Sequence, residues 1–214
     1  MSQGTQTDRR VGMWSAICVA ALGGVYVSVG GIGVIMRPPG LAPLAQVDPY
    51  LAILEFLIIL SAVALVTMMA AVHTWSPPEK KTFSLIAFAF MIAFAILTCS
   101  THFASLTVGR QIVSGTMPQF SHQLSFSWPT IALALDLLAW DLFLGLSLLF
   151  AALVFQGDRQ QNTLRIAMFV DATLCLAGTA GPLSGHMWLQ LSAITGYAVV
   201  LPLVCILVAR LFAR

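Results

Sequence analysis

Glu55, Asp136, Asp141 and Asp171 are four of the chain's 8 acidic residues, and each lies inside an apolar stretch long enough to cross a bilayer. His102 is the one plausible cation at comparable depth. Carboxyls grouped around an imidazole can exchange protons, hold a cation or ligate a metal. An ionised aspartate at the centre of a span costs about 2.5 to 3.5 kcal/mol, so four such groups need compensation. Protonation, hydrogen bonds, a water-filled cavity or a bound cation can each supply it. With so few basic partners at depth, the cavity and the cation are favoured. The competing reading, for any one acid taken alone, is hydrogen-bonded glue between helices.

Counting about 1.5 Å of rise per residue from the nearest helix end sorts these groups into two tiers. Glu55, His102 and Asp136 fall roughly 10 Å below one surface and could meet. Asp141 and Asp171 fall nearer the middle. His102 shares a helix face with Thr98, Cys99 and Ser105, a polar stripe better placed inside a bundle than against lipid. Trp140 lies four residues from Asp136 and shares its face. Asp141 is followed by Gly145, and Asp171 by Cys175 and Gly178, so both central carboxyls sit on small-residue faces suited to helix contact. Asp136 and Asp141 are about 140° apart on an ideal helix and are expected to face different points. Leu51, Ile58 and Ile59 surround Glu55 and leave its orientation open. The ligand-binding candidates are therefore Glu55, His102, Asp136, Trp140, Asp141 and Asp171, with His102, Glu55 and Asp136 as candidate metal ligands.

The elements that must position these residues are membrane-spanning helices. Of 214 residues 59% are hydrophobic and only 8% charged, with a mean hydropathy of +0.93, far from a soluble domain. A net charge of +2 without any basic-aromatic interleaving argues against nucleic acid as a partner. Six apolar segments can be drawn, at 13–36, 49–73, 77–108, 129–156, 159–180 and 185–213, giving an all-α, six-helix polytopic bundle in one transmembrane domain. Asp48-Pro49 reads as an N-cap with proline at the first helical position. Ser76-Pro77-Pro78-Glu79 reads as a capping box, Asp158 as a further cap, and Gly109 and Gly157 as C-caps. Arg9 and Arg10 precede a first segment too long for a signal core, so it is read as an uncleaved span.

Lys80, Lys81, Arg159, Arg165, Arg210 and Arg214 join Arg9 and Arg10 on one side, against Arg37 and Arg110 on the other, which predicts both termini in the cytoplasm. Trp75, Trp128 and Trp188 near span ends read as interfacial anchors. Ala20, Gly24 and Ser28 form a small-residue stripe that permits close approach by another helix, and a homo-oligomer is compatible with it. Pro182 and Pro202 are expected to kink the last two helices. The four cysteines form no CxxC pair and read as small apolar filler.

No GxSxG, phosphate loop, zinc signature or paired-histidine spacing is present, and the two halves of the chain show no repeat. His122 and His186 lie in connections on the side of the outer tier, where with His102 they could ligate haem or a metal. His73, beside Trp75, reads as interfacial. At the level of whole segments, DPYLAILEFLIIL at 48–60, SPPEKK at 76–81, TCSTHFASLTVGR at 98–110 and LDLLAWDLFLGLSLLF at 135–150 carry a resemblance. On these the chain resembles a family of small six-helix bacterial integral membrane proteins to which no activity is attached. The resemblance implies a bacterial inner membrane location and brings no assigned cofactor or site with it, so the cofactor is unknown. The function expected from the residues is binding or transport of a cation, proton or small amphipathic ligand. A lipid-modifying or haem- or metal-binding redox enzyme, and a structural accessory subunit, are the alternatives.

Overall fold

The computed structural model describes residues 5–38, 47–109 and 126–214. Six long apolar helices run through them: α1 Gln6–Met36, α2 Tyr50–Trp75, α3 Pro78–Gly109, α4 Ile131–Ala152, α5 Arg159–Ser184 and α6 Met187–Phe212. No strand occurs among the described residues. Length and composition make each helix able to span a bilayer, where only a helix satisfies its own backbone polar groups. The chain is thus an all-α, multi-pass membrane protein.

Each helix packs on its chain neighbours, and α6 returns to pack on α1, so the six form a closed ring. Six passes leave both chain ends on one side, here termed the terminus side, together with the α2–α3 and α4–α5 turns. The terminus-side half of the ring is filled. Leu65, Met68 and Val72 of α2, Met91 and Phe94 of α3, and Leu144 and Leu148 of α4 are fully buried there. They meet Leu164 and Met168 of α5 and Val204 and Val208 of α6. Trp75 closes this end, stacked on Phe155 at 5.6 Å and edge-on to Phe212 at 5.9 Å between ring centroids. At 4% exposure it is a core residue rather than the interfacial anchor expected from its place at a span end. Trp128 and Trp188 are exposed, as anchors should be.

Local chemistry accounts for most helix ends. α1 starts about two turns earlier than hydropathy suggests, because Thr5 and Asp8 form a capping box that polar composition concealed. Pro49 itself occupies the cap position of α2, and the helix proper begins at Tyr50. The expected Ser76 box does not form: Pro77 and Pro78 lead into a single 3-10 turn, and the Ser76 hydroxyl is buried without a partner. Asp158 does cap α5, accepting the Gln161 backbone N–H at 2.9 Å and pairing with Arg214 at 2.6 Å. Those contacts, the backbone bond foremost, hold its carboxyl below the usual aspartate range. Gly157 follows α4 at φ +156, and Gly185 turns α5 into α6 at φ +75, a left-handed conformation suited to glycine. His73 is half-buried at the end of α2, its ring facing the Ser84 hydroxyl at 2.9 Å and stacked with Phe88.

Three stretches widen from α- to π-helical geometry: Ser105–Gly109 in α3, Leu138–Phe143 in α4 and Gly196–Val200 in α6. Pro202 explains the last. It has no N–H for the Ala198 carbonyl, and the helix loosens over the turn before it. Pro182 likewise withholds a donor from Gly178, where the long α-helical part of α5 ends. Of the Ala20, Gly24 and Ser28 stripe, Ala20 packs against the core, whereas Gly24 and Ser28 are exposed and a side chain added at Gly24 would meet open space.

Candidate functional site

The buried acids lie from the middle of the ring to the half away from the termini. Their first cluster joins three helices through one imidazole. His102 of α3 presents Nδ1 to Glu55 Oε2 of α2 in a close contact, and Nε2 to Asp136 Oδ1 of α4 at 3.1 Å. The Ser105 hydroxyl donates to the other Glu55 oxygen at 3.1 Å, from the π-helical turn that ends α3. Phe126 stacks on the imidazole, ring centroids 4.9 Å apart and planes 15° from parallel. Glu55 and His102 are 4% and 3% exposed, whereas the Asp136 side chain keeps 18%. The tier expected from helical rise is therefore a hydrogen-bonded trio.

Simple proton counting relates the charge of this trio to the protons it holds. Each of the two N···O contacts is a hydrogen bond only if one proton lies along it. Two protons shared among an imidazole and two carboxyls leave one net negative charge, whether the ring is imidazolium or one acid is protonated. Moving a proton along either bond redistributes that charge between Glu55 and Asp136 without changing the total. A third proton neutralises the trio. His102, with both nitrogens engaged, has no lone pair aimed at a common point, and no group of three or more His, Cys, Asp or Glu able to hold a metal occurs among the described residues.

Asp136 faces two ways. Besides bonding His102, it lines a cavity of about 220 Å³ bounded by α1, α2, α4 and α6. The other walls are Tyr26 and Gly23 of α1, Ile58 and Ser61 of α2, Trp140 of α4, and Tyr197, Ala198 and Pro202 of α6. Trp140 and Tyr197 lie 5.1 Å apart, tilted by 58°, and each comes from a π-helical stretch. Phe94 abuts Trp140 edge-on from behind at 4.9 Å. Aromatic faces around a single carboxylate in apolar surroundings attract a cation, through ring quadrupoles and through charge. The volume admits several waters or a small organic cation.

The central tier is built differently. Asp141 and Asp171 are wholly buried, and neither lines the cavity. Gln190, near the start of α6, donates its amide to Asp141 Oδ1 at 2.8 Å, and the Cys175 thiol donates to Asp171 Oδ1 at 3.5 Å. Oδ2 of each aspartate and Oε1 of Gln190 have no hydrogen-bond partner. Both carboxyls press on glycines of the facing helix. A Cβ on Gly178 would sit 3.3 Å from Asp141 Oδ2 and 2.3 Å from the Ala193 side chain; one on Gly196 would sit 2.9 Å from Asp171 Oδ1. The small-residue faces noted around Gly145 and Gly178 are thus helix contacts.

Of the six ligand-binding candidates, the structure joins Glu55, His102 and Asp136, places Asp136 and Trp140 on the cavity, and sets Asp141 and Asp171 apart from both. Tyr26, Tyr197 and Gln190 are additions. The signal for the two tyrosines was a polar tip inside an apolar span, whereas Gln190 stands near a span start and gave none. His186 is exposed and turned to its own Ser184 carbonyl at 3.1 Å, and His122 lies outside the described residues. Compared with known proteins, the chain matches no family model, no curated protein and no solved structure.

Proposed function

We propose that this chain binds a small organic cation with an apolar body in the cavity between α1, α2, α4 and α6, in exchange for a proton, as the elementary step of transport. One observation carries the reading: Asp136 belongs at once to the aromatic-lined cavity and to a buried hydrogen-bonded trio, which carries one net negative charge when it holds two protons. A cation seated against Asp136 and a third proton on the trio neutralise the same charge, so each excludes the other. His102 and Glu55 hold the charge that the proton leaves behind, and Ser105 steadies it with a hydrogen bond. Tyr26, Trp140 and Tyr197 receive the apolar body. The distribution of Lys and Arg supports cytoplasmic termini, and the segment resemblance supports a bacterial inner membrane.

Equilibrium binding of tetraphenylphosphonium and tetraethylammonium to purified protein tests this. Binding should weaken as pH falls and should drop at least about tenfold in Asp136→Asn, the equivalent of about 1.4 kcal/mol for a lost charge contact. A neutral analogue of equal size should bind the two proteins alike. Cation binding that is unchanged in Asp136→Asn, or indifferent to pH, overturns the proposal.

A further inference from the structure

A second recess lies at the opposite end of the molecule, on the terminus side, where α5 begins and α6 ends. It is lined by Arg159, Gln160 and Thr163 of α5 and by Leu207, Arg210 and Arg214 of α6. The spacing is regular. Arg159 and Thr163 are four residues apart on one helix, and Arg210 and Arg214 four apart on the other, so two adjacent helix faces converge on one groove. Asp158 offsets one of the three guanidinium charges through its ion pair with Arg214. Arg159 and Arg210 supply the remaining positive charge. Leu207 adds an apolar side chain on the membrane side of the arginines.

We infer that this groove binds the phosphate of an anionic membrane phospholipid, the headgroup between Arg159 and Arg210 and an acyl chain running past Leu207. Guanidinium groups match phosphate oxygens in paired hydrogen bonds, and basic recesses between helices at the level of the headgroups suit this chemistry. Gln160 adds an amide donor. Free phosphate offers the same oxygens but makes no use of the apolar wall. Arg165 provides an internal comparison: it sits at the same end of α5, but its guanidinium lies over the Phe169 ring at 5.5 Å and outside the groove. The proposal is independent of the cavity at Asp136.

Native mass spectrometry of the full chain in neutral detergent, titrated with phosphatidylglycerol, phosphatidylcholine or inorganic phosphate, reads it directly. Phosphatidylglycerol should bind at least about tenfold tighter than phosphatidylcholine. Arg159→Gln and Arg210→Gln should each weaken it about fivefold and together about 30-fold, whereas Arg165→Gln and Asp136→Asn should leave it unchanged. Equal binding of the two lipids overturns the proposal, as does an Arg165→Gln loss matching that of Arg159→Gln. Protection of the groove by inorganic phosphate at the lipid's own concentration overturns the assignment to a lipid. Arg159→Gln and Arg210→Gln alter exposed side chains, so each is expected to fold even where the double variant does not.

Discussion

The trio of Glu55, His102 and Asp136 and the central pair of Asp141 and Asp171 are both carboxyl sites at lipid depth, yet they are stabilised in opposite ways. In the trio both acids share an imidazole, and Asp136 reaches a cavity. In the central pair each acid has one neutral donor, one oxygen without a partner, and a glycine of the next helix against it. The first arrangement suits a charge that must be held and shared, because opposite charge and a polar opening offset its desolvation. The second suits an uncharged acid used as a contact, because a close-packed glycine face leaves no room for water. All four acids lie inside apolar spans, so position in the sequence alone does not distinguish a carboxyl shared with an imidazole from one packed against glycine.

The sharpest way to break this comparison is to remove the shared partner. His102→Ala leaves Glu55 and Asp136 uncompensated and should cost about 3 kcal/mol or more, measured by reversible unfolding in mixed micelles. Next in size is Gly178→Ala, whose new methyl group would overlap the Ala193 side chain; the expected loss is about 1 to 3 kcal/mol. Adding Ala193→Gly should restore most of it, which localises the effect to that contact. Asp141→Asn and Asp171→Asn should then each lie within about 1 kcal/mol of the parent, since an amide keeps the shape of the acid and still offers an oxygen to its one neutral donor. If either costs as much as His102→Ala, the two sites do not differ as described. Smallest is Asp158→Ala, outside the spans. The Asp158 carboxyl is held below its unfolded value, so its contribution is present above the usual aspartate range and fades as pH falls through the folded value. The variant should therefore be slightly less stable than the parent at neutral pH and equal to it in acid.

The six spans were legible because the bilayer imposes length and hydropathy so strongly that composition suffices. The trio was legible too, since counting rise from capped ends brought Glu55, His102 and Asp136 to one depth. Trp140 followed from its four-residue spacing to Asp136. What escaped was whatever depended on a broken helical period. The π-helical stretch in α6 shifts the angular phase of its residues, so ideal helical spacing does not turn Tyr197 toward the cavity that Trp140 lines. Gln190 escaped because it stands near a span start, where a polar residue needs no explanation, although its amide reaches a central aspartate. Trp75 misled for the converse reason: its place at a span end is typical of anchors, and only the convergence of Phe155 and Phe212 makes that place a core.

That the last helix closes against the first sets an order of events during synthesis. Glu55, His102 and Asp136 come from the second, third and fourth helices, so their mutual compensation is available while the ribosome is still making the remainder. Asp141 receives its amide only from the sixth helix, and the chamber beside Asp136 lacks a wall until that helix arrives. The trio can therefore assemble early in a nascent chain, whereas the chamber beside Asp136 is walled only once the sixth helix has been made.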